Sequence, residues 1–280
     1  MLLILLLIFL IINIVDSTIV SNSNDDIVSS YYSTIDTTLV NDELKISLKN
    51  LINNHTVLTY DQVWKGLAIL DRYLVNYPCN ENETYIPDVY SNYCWRPDNS
   101  STTGGQCGNY KKEGDCFNRE HIWPKSWFGG FDNGSNAQTD LFELWGSDGY
   151  VNNLRGDLPL GMVLKTNVTY TSSNGCLIGV CDVENYSGNC FEIANYMKGQ
   201  VARTYFYLAT SYYEEWLCCD TAGTNLSDIK PWMENVLRQW SIDFPVSTLE
   251  IERNNAVYSI QNNRNPFIDH PEWIDQINNF

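Results

Sequence analysis

Nine cysteines constrain this 280-residue chain more than any other feature. None stands in a Cys-x-x-Cys pair, so a zinc ribbon or a thioredoxin-type redox site has no support. Behind an apolar leader, this number of cysteines indicates disulfides formed in an oxidising compartment. The spacing suggests two local loops and a cluster of three; because nine is odd, one cysteine is left over or pairs between chains, and sequence does not fix the connectivity. These are Cys79 with Cys94, Cys107 with Cys116, and the cluster Cys176, Cys181 and Cys190.

Residues 1–17 have the length and apolar character of a secretory signal peptide, although a basic segment before the apolar run is missing. An uncleaved anchor or a buried helix is the alternative. Asn-x-Ser/Thr sequons favour passage through a secretory pathway, to secretion or to a lysosome. We expect residues 18–32 to form a flexible arm and residues 33–280 a single domain. The sequons begin at Asn54, Asn82, Asn99, Asn133, Asn167, Asn185 and Asn225.

The composition excludes several classes of protein. Hydrophobic residues make up 44% of the chain, too many for a disordered segment. No apolar run reaches the roughly 18 residues that a membrane span needs, so we expect no membrane association after signal cleavage. The net charge of −17 argues against broad electrostatic binding of nucleic acid. With three histidines and no His-x-x-x-His pair, a zincin-type protease is excluded.

Apolar spacing predicts the first long helix. Val63, Leu67, Leu70 and Leu74 are separated by four, three and four residues, which places them on one face of a helix over residues 60–75. The same reasoning predicts that this face packs against a core.

Two more helices and two strand-rich regions follow. Residues 195–214 carry an apolar face, and Pro231 suits the first turn of a helix over 231–242. Short strands are expected between residues 85 and 125 and near 158–170. The prediction is an α+β fold, mostly helical and stapled by disulfides.

One segment, residues 118–128 with the sequence NREHIWPKSWF, carries the most chemistry. His121 follows two charged residues and precedes a rigid aromatic stretch. Taken alone, the segment fits a core histidine between tryptophans equally well. Residues 140–157 add carboxylates and carboxamides, the oxygen ligands that Mg²⁺ or Ca²⁺ prefer.

Five segments together resemble the endonuclease I family of ββα-metal (His-Me finger) nucleases. Residues 118–128 are similar to its signature, and residues 151–155 (VNNLR) lie where the family places its metal-binding Asn. Residues 88–91, 198–203 and 261–272 resemble its entering strand, its following helix and its C-terminal motif. The match runs in order over about residues 30–275.

The resemblance implies a mechanism and a set of roles. His121 would be the general base that activates water, and Glu120 and Asn152 would bind Mg²⁺, with Ca²⁺ or Mn²⁺ as alternatives. Arg155 would orient the site or contact phosphate. Arg119 and Lys125 are candidates for nucleic-acid contact, although a surface lysine is an equal alternative. The implied substrate is DNA, with RNA left open, the products carry 5′-phosphates, and no protein partner is implied.

Other conspicuous residues are expected to serve the fold. Arg203 and Arg264 are assigned to pairing with carboxylates, Trp123 and Trp127 to packing, His270 to a fold contact, and His55 to the surface.

Two observations oppose the enzyme. The family usually has His where this chain has Phe142, followed here by Glu143. The acidic charge also repels nucleic acid, unless a local basic groove and Mg²⁺ overcome it. The alternative is a catalytically silent, glycosylated extracellular binding module of the same fold. Retention of Glu120, His121 and Asn152 favours the enzyme, and a secreted protease or glycosidase has little support.

Overall fold

A computed structural model of the protein describes residues 25–70, 86–96, 106–130, 135–216 and 219–280. The chain divides into two units, Met1–Leu39 and Val40–Phe280. In the first, residues 25–31 form helix α1, so the second half of the predicted arm is helical. The predicted signal peptide, residues 1–17, lies outside the described residues. No described helix has the length and apolarity needed to cross a membrane.

The second unit carries the remaining helices, and the three predicted ones are present. The apolar face expected over residues 60–75 lies on a helix that begins at Tyr60, with Val63, Leu67 and Leu70 buried; residues 71–75 lie outside the described residues. The helices are α2 (Asn41–Ile52), α3 (Tyr60–Leu70), α4 (Gly149–Arg155), α5 (Lys198–Ser211), α6 (Pro231–Asp243), α7 (Thr248–Gln261), α8 (Pro266–Asp269) and α9 (Trp273–Gln276).

Helix α5 is the buried centre of this unit. It follows a 3-10 turn at Asn195–Met197 and is buried on every side, with α2, α6 and α8 packed against it. Its one arginine, Arg203, forms a bidentate ion pair with Glu250 of α7 at 2.6 and 2.7 Å. Pro231 occupies the first turn of α6, as predicted.

The strands form small antiparallel sheets. β3 pairs with β4, and β5, β6 and β7 form a three-stranded sheet, while the other two pairs are two residues long. The α+β prediction is confirmed. The strands are β1 (Ile86–Pro87), β2 (Cys94–Trp95), β3 (Phe117–His121), β4 (Leu144–Asp148), β5 (Val163–Thr171), β6 (Leu177–Cys181), β7 (Asn189–Glu192), β8 (Thr224–Asn225) and β9 (Asp228–Ile229).

Two of the disulfides close short loops. Cys107 bonds to Cys116 and Cys181 to Cys190, each over nine residues of separation. The first pair confirms the prediction, and the second resolves the cluster of three by leaving Cys176 as a buried free thiol. Cys94 is also disulfide-bonded; its predicted partner, Cys79, lies outside the described residues.

The C-terminal motif braces the turn that leads into β4. Asp140 lies in this turn, and its Oδ2 accepts hydrogen bonds from the hydroxyls of Tyr207 and Tyr212 at 2.7 and 2.9 Å. Gln261 donates to Asp140 Oδ1 at 2.8 Å and accepts from the amide of Leu141 at 3.0 Å. All of these groups are buried and paired, so the turn between β3 and β4 is held at several points.

Candidate active site

Strands β3 and β4 and helix α4 bring the predicted site residues together. β3 runs antiparallel to β4, with Glu120 opposite Trp145 and His121 opposite Leu144. Asp148 ends β4 and caps α4, because its side chain accepts the amides of Tyr150 and Val151, both at 2.9 Å. The cap fixes where α4 begins, and therefore where its side chains lie relative to β3.

These elements border an open cleft of about 660 Å³. All six residues predicted from the sequence line it. They are Arg119, Glu120, His121, Lys125, Asn152 and Arg155. The remaining wall comes from α3 (Tyr60 and Trp64), the Cys107 loop (Gln106 and Cys107), Asn118, Pro124, Ser126, Gly156 and Asp157.

His121 lies at the end of β3, with about a tenth of its side chain exposed. Burial and, to a smaller extent, the nearby cations Lys125, Arg119 and Arg155 lower the pKa of His121 to about 3. The imidazole is therefore neutral near pH 7, the state in which it can accept a proton.

Glu143 lies beside this imidazole and was missed as a functional residue in the sequence. It is fully buried, its Oε2 accepts the amide of Trp123 at 3.0 Å, and its Oε1 lies 3.4 Å from Nδ1 of His121. Oε1 accepts no hydrogen bond within the described part of the chain, so its approach to His121 is a close charge contact rather than a hydrogen bond in this geometry. Burial raises the pKa of Glu143. In its ionised form, which a hydrogen on Nδ1 would stabilise against this burial, Glu143 favours that hydrogen position and leaves Nε2 as the acceptor.

Glu120 is held through one of its two oxygens. Oε1 accepts the hydroxyl of Tyr90 at 2.7 Å and Nη1 of Arg155 at 2.8 Å. Among the described residues, both hydrogen bonds to this carboxylate are accepted by Oε1, so Oε2 is the oxygen that can bind a group in the cleft. Burial raises the pKa of Glu120 to about 6, against the opposing effects of Arg155 and Tyr90.

Asn152 presents an amide oxygen to the same cleft. Its Nδ2 donates to the hydroxyl of Ser147 on β4 at 3.1 Å, which assigns the amide orientation and turns Oδ1 away from that contact. Glu120 and Asn152 thus offer two hard oxygens, the donor type that Mg²⁺ prefers. Since Mg²⁺ keeps several waters, two protein ligands suffice. No cluster of three or more His, Cys, Asp or Glu occurs in the described ranges.

Comparison with known proteins agrees with this geometry. The sequence profile of the Endonuclease I family matches residues 40–272. The chain belongs to the endonuclease I family. It is a nuclease, an enzyme that hydrolyses phosphodiester bonds, as the sequence predicted.

Two bacterial relatives cover most of the same region. An extracellular ribonuclease of Bacillus subtilis (strain 168) is 33% identical over 242 residues, which are 84% of this chain and 74% of the relative. An extracellular ribonuclease of Bacillus amyloliquefaciens is 34% identical over 242 residues, 84% of this chain and 73% of the relative.

Within this endonuclease I site, Arg155 lies beneath the cleft floor, with only 1% of its side chain exposed. Nη1 donates to Glu120 and to the carbonyl of His121 at 3.0 Å, and Nη2 donates to the carbonyl of Ile122 at 2.6 Å. The sequence left two roles open for Arg155, orienting the site or contacting phosphate. This geometry supports the first, because the guanidinium holds Glu120 and the end of β3.

Arg119 is fixed against α3. Its guanidinium lies 3.2 Å from the ring centre of Tyr60 and 4.3 Å from that of Trp64, and Nη1 donates to the carbonyl of Tyr60 at 2.5 Å. Lys125 begins the 3-10 turn Lys125–Phe128, and burial lowers its pKa. Both cations border the cleft, so the groove is locally basic although the protein is acidic.

The position where the family usually has His holds a core residue. Phe142 is 1% exposed and packs on Tyr207, with ring centres 4.6 Å apart. Since Phe142 does not line the cleft, its identity does not remove a group from the reaction. The polar group that this turn contributes is the neighbouring Glu143.

Most of the residues that the sequence assigned to the fold are buried or make structural contacts. Trp123 and Trp127 are buried, and Arg203 and Arg264 pair with Glu250 and Asp269. His270 stacks on Trp273 at 4.1 Å. The surface position expected for His55 is wrong, because its residue is only 9% exposed; the chain turns inward there, where Thr56 donates its amide to the carbonyl of Gln261 at 2.8 Å.

Proposed function

We propose that this nuclease is a secreted, Mg²⁺-dependent, sequence-nonspecific endonuclease that hydrolyses RNA and DNA. The observation that carries the proposal is His121 on the wall of a cleft that also holds Glu120 and Asn152, with the buried Glu143 behind it at 3.4 Å from Nδ1. RNA is included because both relatives are named extracellular ribonucleases. DNA is included because the residues lining the cleft suit the phosphodiester, which both nucleic acids share.

Each of these residues would have a separate role in the reaction. His121 accepts a proton from water at Nε2, while Glu143 stabilises the imidazolium through the hydrogen on Nδ1. Glu120 and Asn152 would hold Mg²⁺, which when bound supplies positive charge for the phosphate and the departing 3′ oxygen. Arg155 keeps Glu120 in place, and no step requires the guanidinium to leave its carbonyl partners.

Arg119 and Lys125 would position the phosphate backbone. Arg119 is preorganised by two aromatic rings and a backbone carbonyl, so little side-chain entropy is lost when it binds an anion. Contacts of this kind carry no base information, and they agree with nonspecific cleavage.

Water as the nucleophile makes a specific claim about RNA products. Attack by water with departure of the 3′ oxygen gives 5′-phosphate and 3′-hydroxyl ends. Attack by the RNA's own 2′-hydroxyl gives 2′,3′-cyclic phosphates and 5′-hydroxyls. The products of an RNA oligonucleotide therefore test whether water is the nucleophile, and the His121→Ala variant tests the base.

The deciding experiment measures cleavage of a supercoiled plasmid and of an end-labelled RNA in Mg²⁺ and in EDTA. We expect His121→Ala to lose roughly 10²–10⁴-fold in rate and His270→Ala to retain it. Asn152→Ala should need more Mg²⁺, whereas Asn153→Ala, an exposed neighbour on α4 outside the cleft, should not. Folded wild-type protein that cuts neither substrate with any divalent metal would favour the silent binding module.

A further inference from the structure

A second pocket lies between the β6–β7 hairpin and helix α6. Its volume is about 550 Å³, within the range of small-ligand sites. None of its lining residues belongs to the catalytic cleft. The apolar wall consists of Met162, Val183, Val236, Phe244 and the largely buried rings of Trp232 and Trp240.

The rim of this pocket is rich in hydrogen-bonding groups. Carboxylates come from Asp182, Glu184 and Asp243, and carboxamides come from Asn235 and Gln239. An apolar wall with acceptors and amides around it suits a pyranose, which has an apolar face and a ring of hydroxyls. A planar acid or a phosphate would meet three carboxylates against one lining cation, Lys198, which is buried and paired with Glu192.

Asn185 itself lies on the rim, and it begins the sequon Asn185-Tyr-Ser187. Its residue is exposed, and its carboxamide has no hydrogen-bond partner among the described residues that would compete for the nitrogen. The backbone at Asn185 has φ of 64°, a left-handed conformation that Asn adopts more readily than most residues.

The turn that carries Asn185 is fixed to the pocket wall. Tyr186 stacks on Trp232 with ring centres 4.3 Å apart and planes 5° apart. The Tyr186 hydroxyl donates to the carbonyl of Asn189 at 3.2 Å, and the disulfide from Cys181 to Cys190 closes the base of the hairpin. A group attached to Asn185 would therefore start at the pocket mouth rather than on a freely moving loop.

We propose that Asn185 carries an N-linked glycan whose first N-acetylglucosamine residues pack into this pocket against α6. Attachment forms a bond from Nδ2 of Asn185 to C1 of the sugar and breaks the C1–O bond of a lipid-linked oligosaccharide diphosphate. The displaced amide proton leaves with the diphosphate. The glycan, covalently attached to the β6–β7 hairpin, packs against α6 and stabilises the contact between these two elements. This role is independent of the nuclease reaction.

Asn167 provides a matched control. It also begins a sequon and is exposed, on strand β5, but it does not line this pocket. The full chain would be secreted from a eukaryotic host and its glycopeptides identified by mass spectrometry. The native protein would then be treated with an endoglycosidase that cuts between the first two sugars.

We expect the Asn185 glycan to be released at least about tenfold more slowly than the Asn167 glycan, and equally fast after denaturation. Ser187→Ala, which removes the sequon and leaves Asn185 in its left-handed conformation, should lower Tm by about 2–4 °C, a shift that corresponds to a modest loss of packing in a chain of this size, whereas Asn167→Gln should not. Val236→Trp, which fills the pocket, should make the Asn185 glycan as accessible as the control. An unoccupied Asn185, or equal release from both sites in native protein, would overturn the proposal.

Discussion

The substitution Glu143→Gln tests the catalytic pair while preserving the shape of the side chain. In the wild type, Oε2 of Glu143 accepts the Trp123 amide and Oε1 lies 3.4 Å from Nδ1 of His121. A glutamine that keeps its carbonyl oxygen on the Trp123 amide turns its NH₂ group toward Nδ1. That group only donates, so Nδ1 must accept and the imidazole hydrogen moves to Nε2. The base is then blocked.

The opposite orientation of the glutamine is disfavoured by the same contact. It sets the NH₂ group against the Trp123 amide, and leaving a buried donor unsatisfied costs about 1–3 kcal/mol. In a serine protease triad, the equivalent loss of carboxylate charge lowers kcat by about 10⁴. We expect Glu143→Gln to lower kcat by roughly 10²–10⁴, equivalent to about 2.7–5.4 kcal/mol of barrier, with little change in KM.

Two measurements separate this effect from a folding defect. Nitrogen NMR reports which ring nitrogen carries hydrogen, and assignment is simple because the chain has only three histidines. Glu234→Gln is the control, since Glu234 is a buried carboxylate, paired with Arg238, that does not line the cleft. A folded Glu143→Gln protein with more than a tenth of wild-type kcat, or with hydrogen still on Nδ1, would refute the reasoning.

Three further predictions follow from the site and its supports. Asn152→Ala should raise the Mg²⁺ concentration for half-maximal rate about 10-fold or more, with EDTA abolishing cleavage by the wild type; an unchanged Mg²⁺ curve would remove Asn152 from the site. Arg155→Met should lower stability by about 3–5 kcal/mol, because it strands the buried carboxylate of Glu120, as urea unfolding can check. Burial raises the pKa of Asp88 to about 7, so the native protein keeps this carboxyl protonated above pH 4, where the unfolded chain loses the proton. The stability that the proton contributes is therefore lost as pH rises through 7. The Asp88→Asn protein should not show this pH-dependent loss, and stability curves of wild type and variant that run parallel from pH 5 to 8 would contradict the prediction.

Local sequence patterns were sufficient for the helices, and the ordered motifs for the residues that share the cleft. The spacing of Val63, Leu67 and Leu70 predicted α3 because the apolar face of a helix repeats every three or four residues. The helix prediction succeeded because it depends on residues close together in the chain. His121 and Asn152 are 31 positions apart, and the family resemblance rather than local spacing put them in one site; both line the same cleft.

The role of Glu143 depends on tertiary geometry and was not predictable from spacing. It lies 22 positions after His121 and reaches it only because the turn before β4 is held by Asp140 and its partners. A signal was nevertheless present, since Glu143 interrupts the apolar run Leu-Phe-Glu-Leu-Trp. A carboxylate buried among apolar residues requires a partner. Arg155 differs from Glu143 because the sequence did identify it as a site residue. Its position on α4, however, did not predict that its side chain is buried beneath β3.

The cleft also accounts for how a chain with net charge −17 can act on a polyanion. Within the described residues, the buried charges nearly balance, with eight carboxyl side chains against six cationic ones, so most of the acidic excess lies nearer the surface. Charges on the outer surface are screened beyond about 10 Å at 0.1 M salt. A phosphate in the cleft would therefore be attracted by Arg119 and Lys125 at its border and by Mg²⁺ where Glu120 and Asn152 would hold it. With few cationic contacts, we expect weak binding with a shallow salt dependence, in keeping with the nonspecific cleavage proposed above.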